Sequence, residues 1–156
     1  MAVHAPQHSE DSVEFTFGAE EAEVRQVLRR AVARFARQIT QADAGSLELT
    51  LAEVLNNVVE HSYAGQDRGL VYLSVRRNGD ALVCQVEDFG CPMPNLSLPD
   101  GALPQEPQSI ENLPEGGWGW ALIRAMTTNL DYARIADKNR LSFCVPLESE
   151  QQAATA

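Results

Sequence analysis

The sequence predicts a two-layer α/β sandwich, a mixed, mostly antiparallel sheet covered on one face by helices. Three observations point there. An alternating strand precedes two amphipathic helical stretches; an Asn78-Gly79 dipeptide joins two strands; and a glycine-led third helix is followed by a second pair of strands. At 156 residues the chain has room for one domain with a core, and too few for two.

Val13, Phe15 and Phe17 alternate with Glu14 and Thr16, the period of a half-buried strand, and Gly18 ends the run. Val24, Val27, Leu28, Ala31, Val32 and Phe35 then recur at helical spacing, so an amphipathic helix is expected over about 20 to 39. Gly45-Ser46 offers a stop and an N-cap for a second helix over about 46 to 63, with an apolar stripe of Leu47, Leu51, Val54, Leu55 and Val58. Strands follow at Leu70 to Arg77 and Ala81 to Glu87, turned through Asn78-Gly79 because a tight hairpin needs residues that accept positive φ. From Cys91 to Glu115 six prolines interrupt every periodicity, which marks a functional lid or an unstructured stretch. Gly116-Gly117-Trp118-Gly119-Trp120 then opens into a helical run from Ala121 to Met126, a helix start with bare N–H groups suited to an anion. The last strands are expected near Leu130 to Ala136 and Leu141 to Leu147, turned by Asp137-Lys138-Asn139. Residues 1–11 and 148–156 carry too few large apolar groups to offset the entropy of ordering, so disordered ends are expected around a domain of residues 12–147.

Composition narrows the function. The net charge of −10 opposes a phosphate backbone, so no nucleic-acid partner is expected. No apolar run approaches the roughly 20 residues that span a bilayer, so no membrane is expected. Cys84, Cys91 and Cys144 are odd in number, widely spaced and without a CxxC pair, which fits neither a disulfide framework nor zinc and suggests a reducing cytoplasm. Eleven arginines accompany a single lysine, Lys138, and there is no GxxxxGK[ST] loop.

Three features can carry chemistry. Glu53 and Asn57 stand one helical turn apart, a carboxylate that can take a proton beside an amide oxygen that can ligate a hard cation. With Glu60 and His61 they form a polar row opposite the apolar stripe, which by itself is equally the solvated side of a helix. Asp88-Phe89-Gly90 ends the third strand; the carboxylate can accept from an exocyclic amine, and the glycine admits a close neighbour. The glycine-rich start at 116–119 suits phosphate, or simply a tight turn into a helix.

Taken in order, the three features resemble the ATP-binding fold shared by histidine kinases, gyrase, the Hsp90 chaperone and the MutL repair protein, the GHKL ATPase superfamily. Closer still, Glu53 to Tyr63, Asp88 to Gly90 and Leu113 to Ile123 are similar to the N-box, G1 box and G2 box of the bacterial anti-sigma-factor serine/threonine kinases. The resemblance implies that Asn57 ligates Mg²⁺ and that Glu53 activates the attacking hydroxyl. It implies that Asp88 binds the adenine amine of ATP, that Gly90 lets the ring approach, that Gly116, Gly117 and Gly119 present N–H groups to the phosphates, and that residues 91–115 are the ATP lid. It further implies an anti-sigma factor of a partner-switching system that phosphorylates a STAS-type antagonist and otherwise holds a sigma factor or comparable regulator. A homodimer is plausible on the same ground. The alternative is a nucleotide-sensing switch that binds its partner without phosphorylating it. Trp118 and Trp120 stand where the family has smaller groups, the glycine loop lacks a basic residue, and Arg124 is the substitute at hand. Arg25 and Arg29 are candidate partner contacts, and His61 is assigned no role.

Overall fold

The computed structural model of the protein describes residues 11–65, 69–101 and 118–148. Strands β1 (Ser12–Gly18), β2 (Leu70–Asn78), β3 (Ala81–Asp88), β4 (Thr128–Ile135) and β5 (Lys138–Pro146) form one sheet in the order β1-β2-β3-β5-β4. Within the predicted class, every pairing is antiparallel. Helices α1 (Glu21–Phe35), α2 (Gln41–Asn57) and α3 (Trp118–Met126) accompany it, and α2 packs against both of the others.

Alternation along the strands selects the covered face. Val71, Leu73 and Val75 on β2, Leu82, Cys84 and Val86 on β3, and Leu141, Phe143 and Val145 on β5 all point inward and are buried. Phe35 of α1 and Leu47, Leu51 and Leu55 of α2 close over them. Burying such side chains contributes about 1.5–3 kcal/mol each, which holds the helix layer to the sheet. The opposite face is polar: Glu87 of β3 pairs with Lys138 of β5, and Arg140 stands 3.6 Å from the same carboxylate. The sole lysine is thereby engaged on the face away from the helices. None of the three cysteines is in a disulfide.

Several boundaries differ from expectation. Helix α1 stops at Phe35 rather than near 39; Gln38 N–H turns back to the Phe35 carbonyl, and Arg77 Nη1 takes the Gln38 carbonyl at 2.7 Å. Helix α2 starts five residues before Ser46, capped by Thr40, whose Oγ1 accepts from Asp43 N–H at 3.1 Å. Asp43 is itself buried and accepts the Glu148 N–H at 3.0 and 3.2 Å, fastening the chain beyond β5 to the start of α2. After Asn57 the helix widens into a π-helical turn, Val58–Ser62. In the β2-β3 hairpin Asn78 pairs with Ala81, so the loop is Gly79-Asp80 and Gly79 takes the positive φ of 58°. In the last hairpin Ile135 pairs with Lys138, so the loop is Ala136-Asp137 and Asn139 lies in β5 instead of the turn. The expected disordered ends fall almost wholly outside the described residues, as do positions 102–115 of the expected lid.

Candidate functional site

A cavity of about 430 Å³ opens between the C-terminal half of α2, the π turn and the ends of β3, β5 and β4, with residues 91–99 along its rim. That volume lies in the range of small-molecule sites. Its walls are largely apolar, with Val58, Val86, Leu141, Met93 and Trp120 among them, and the polar groups that converge on it from different elements include Asn57, Asp88 and Asn139, with His61, Ser62 and Tyr132 beside them.

Each polar group owes its position to the element beneath it. Asp88 closes β3 on the inward-facing side and sits opposite Asn139 of β5, which in turn sits opposite Arg134 of β4. Asp88 and Asn139 are only 4% and 5% exposed, so both must find partners inside. Asp88 Oδ1 accepts from Gly90 N–H and from Asn139 Nδ2, both at 2.9 Å, and Ser62 also donates to the carboxylate. Burial pushes the Asp88 carboxyl above its ordinary value, outweighing the Asn139, Gly90 and Ser62 hydrogen bonds and the positive charge of Arg134. A carboxylate offers about four acceptor positions, so three donors leave one toward the cavity.

Asn57 ends α2, and its Nδ2 is buried without a hydrogen-bond partner among the described residues. An orphaned amide in a cavity wall is costly unless a ligand completes it, and half a turn about its last bond exchanges nitrogen for oxygen. Glu53, one turn earlier, lies beyond the cavity lining and against α3: a Cβ built on Gly119 would fall 2.6 Å from Glu53 Oε2. The structure therefore brings Asn57 and Asp88 to one cavity and Glu53 to Gly119 at its edge.

Gly90 answers to a different neighbour from the one expected. A Cβ there would meet the Ser62 carbonyl oxygen at 2.3 Å, and the adjacent Cys91 N–H donates to that same oxygen at 2.7 Å. The missing side chain thus makes room for the π turn. Gly116 and Gly117 lie outside the described residues. Arg124 is engaged: its Nε and Nη2 both donate to the Pro99 carbonyl, at 2.9 and 2.7 Å, fastening the rim segment to α3. The two indoles divide, Trp120 packing against the core and Trp118 half exposed. Arg25 and Arg29 are exposed on α1.

Sequence reasoning missed Asn139 and Tyr132; it set His61 in one row with Asn57 but gave it no role, and both line the cavity. For Asn139 a signal existed: counting back in twos from Val145 through Phe143 and Leu141 lands on it, so an inward-facing polar residue was legible.

An antiparallel sheet roofed by helices, with a cavity holding a buried carboxylate at a strand end and an amide at a helix end, is an arrangement suited to a small polar ligand. The family described as histidine kinase-like ATPase domain matches residues 17–145, and the chain belongs to it. Among solved structures, the RsbU and RsbW domains of Rv1364c from Mycobacterium tuberculosis share the fold, with a TM-score of 0.60 and 17% identity. That match covers 87% of this chain and 32% of the other, so the chain spans about a third of that structure's chain. No curated protein matches. Among the described residues no helix is long and apolar enough to cross a membrane.

Proposed function

We propose that the chain is an ATP-dependent serine/threonine protein kinase and anti-sigma factor that phosphorylates a STAS-type antagonist in a partner-switching system. The observation that carries this reading is the convergence of Asn57, Asp88 and Asn139 on one cavity with Glu53 at its edge. The similarity of the three sequence boxes to anti-sigma-factor kinases supports it, and so does membership of the ATPase family. A domain of residues 12–147, a cytoplasmic location, a homodimer and a sigma factor or comparable regulator as second partner belong to the same reading.

The residues present fit the groups this function needs. Asp88 has an acceptor position left for the exocyclic amine of adenine, between apolar walls that suit a flat ring. The Asn57 side-chain oxygen would ligate Mg²⁺, and its orphaned Nδ2 would find an acceptor in a phosphate oxygen. No group of three or more His, Cys, Asp or Glu among the described residues could hold a metal, so phosphate oxygens and water would complete its coordination. A bound Mg²⁺ neutralises charge on the transferring phosphoryl group. Gly116, Gly117 and Gly119 would offer backbone N–H groups to the phosphates. Glu53 accepts the proton of the attacking hydroxyl as its oxygen bonds to phosphorus and ADP departs.

The test mixes purified protein, Mg-ATP and candidate STAS-type proteins and reads phosphoserine or phosphothreonine by mass. Transfer is expected with the wild type and is expected to fall about 10²- to 10⁴-fold in Glu53→Ala with nucleotide binding kept. A lasting complex with no mass shift would favour the non-phosphorylating switch, and undiminished transfer in Glu53→Ala would remove the assigned base.

A further inference from the structure

The start of the rim segment is pinned through its backbone. Phe89 N–H donates to the Tyr63 hydroxyl at 2.8 Å, Gly90 N–H to Asp88, Cys91 N–H to the Ser62 carbonyl, and Met93 N–H to the Tyr132 hydroxyl at 2.9 Å. Pro92 and Pro94 have no N–H, so Met93 carries the one backbone donor of the Pro-Met-Pro stretch. Tyr132 takes that donor and gives its own proton to Asn139 Oδ1 at 2.6 Å. Asn139 Nδ2 then donates to Asp88 Oδ1 and to the Cys91 carbonyl, both at 2.9 Å.

These links have a direction. An ionised carboxylate only accepts, so Asp88 turns the Asn139 amide nitrogen toward itself. The amide oxygen then faces Tyr132, whose hydroxyl proton is drawn to it, and a tyrosine oxygen lone pair is left for Met93 N–H. Arg134 Nη1 holds the same Asn139 oxygen at 3.0 Å and prevents the amide from reversing. A donor arriving at Asp88 therefore competes with Asn139 for the carboxylate and weakens the first link of a chain that ends at Met93, a residue of the cavity wall.

We propose that Tyr132 is a positioning residue that couples ligand engagement at Asp88 to the conformation of residues 91–94. The inference rests on the adenine reading given above and adds to it a residue and a coupling. By linkage, whatever factor the ligand costs the Met93 hydrogen bond, that bond costs ligand affinity.

Proline leaves one exchangeable amide in residues 92–94, so hydrogen exchange read by mass spectrometry isolates Met93. Adenosine, which lacks phosphates, is the probe. Saturating adenosine is expected to speed Met93 exchange in the wild type by up to about tenfold, the scale of one hydrogen bond. In Tyr132→Phe, which keeps the ring, basal exchange rises about tenfold, the speeding by adenosine disappears, and adenosine binds more tightly by the factor of speeding lost. Asn139→Ala breaks the chain nearer Asp88: it abolishes the ligand-dependent change, and basal exchange rises as well because the amide that donates to the Cys91 carbonyl and orients the Tyr132 hydroxyl is gone. Tyr72→Phe, at an exposed tyrosine outside the chain, behaves as wild type. Wild-type affinity and wild-type speeding in Tyr132→Phe would overturn the coupling. A flat calorimetric titration of adenosine into the wild type would overturn the adenine reading itself, and the coupling with it.

Discussion

Replacing Asp88 by asparagine isolates the adenine end of the cavity from the rest of the fold. Asparagine keeps an oxygen with two acceptor positions, enough for the Gly90 and Asn139 donors that now reach Oδ1 at 2.9 Å. Its NH₂ group replaces the second carboxylate oxygen, and Ser62 can turn its hydroxyl to accept. The internal network therefore survives, but a donor now faces the exocyclic amine. A hydrogen bond to a charged group contributes about 1.5–3 kcal/mol, so the dissociation constant of Mg-ADP should rise roughly 10- to 150-fold. Titration calorimetry at pH 7.5 measures this directly, and an unchanged constant would refute the assignment of Asp88.

Stability should move the other way. Burial raises the Asp88 carboxyl above its ordinary value of 3.8, so folding favours its protonated form. A group shifted upward contributes stability that is fully present below its unfolded value and is lost as pH rises through its folded value. At neutral pH the wild type therefore carries a penalty that Asp88→Asn does not. Thermal melts of the ligand-free proteins should show the variant gaining on the wild type as pH rises from about 3.5 to 7. A constant difference across that range would show that the carboxylate is not desolvated.

Two glycines should respond to alanine in opposite ways. Gly119→Ala places a methyl 2.6 Å from Glu53 Oε2, the far end of a flexible side chain, so the melting temperature should hold while phosphoryl transfer falls tenfold or more. Glu53→Asp in the same chain, with a carboxylate one methylene shorter, should recover part of that loss; a drop in stability without recovery would deny the contact. Gly90→Ala instead meets the backbone of Ser62 at 2.3 and 2.5 Å, and should lose about 1–3 kcal/mol of stability and several degrees in melting temperature.

Periodicity revealed most of the fold because packing enforces it. The alternating Phe15 and Phe17, Val24, Val27, Ala31 and Phe35 of α1 and the inward residues of β2 and β3 are buried, and Leu28 and Val32 are partly buried beside them. Failures cluster where local chemistry met a stronger tertiary demand. Gly45-Ser46 reads as a helix stop, since an internal glycine costs about 1 kcal/mol. Yet Thr40 supplies a cap, Leu47 and Leu51 pack below, and α2 runs through both residues. Asp137-Lys138-Asn139 reads as a turn by residue type, but β5 needs Asn139 as the inward neighbour of Asp88, and the turn moves to Ala136-Asp137.

The site was legible where it depends on helical spacing and illegible where the helix changes period. Glu53 and Asn57 are one α-turn apart and the prediction from 100° per residue applies to them. After Asn57 the wider π turn re-aims the end of the helix, which sets Ser62 against Gly90. Asp88-x-Gly90 thus combines two requirements that sequence alone merges into one. The aspartate faces a ligand cavity, whereas the glycine exists because a helix of altered pitch presses its backbone against the end of β3. A substitution that restored ordinary α-helical pitch through residues 58–62 would withdraw the Ser62 carbonyl from Cys91, loosen Asp88 through the lost Ser62 hydrogen bond, and free position 90 to accept a side chain.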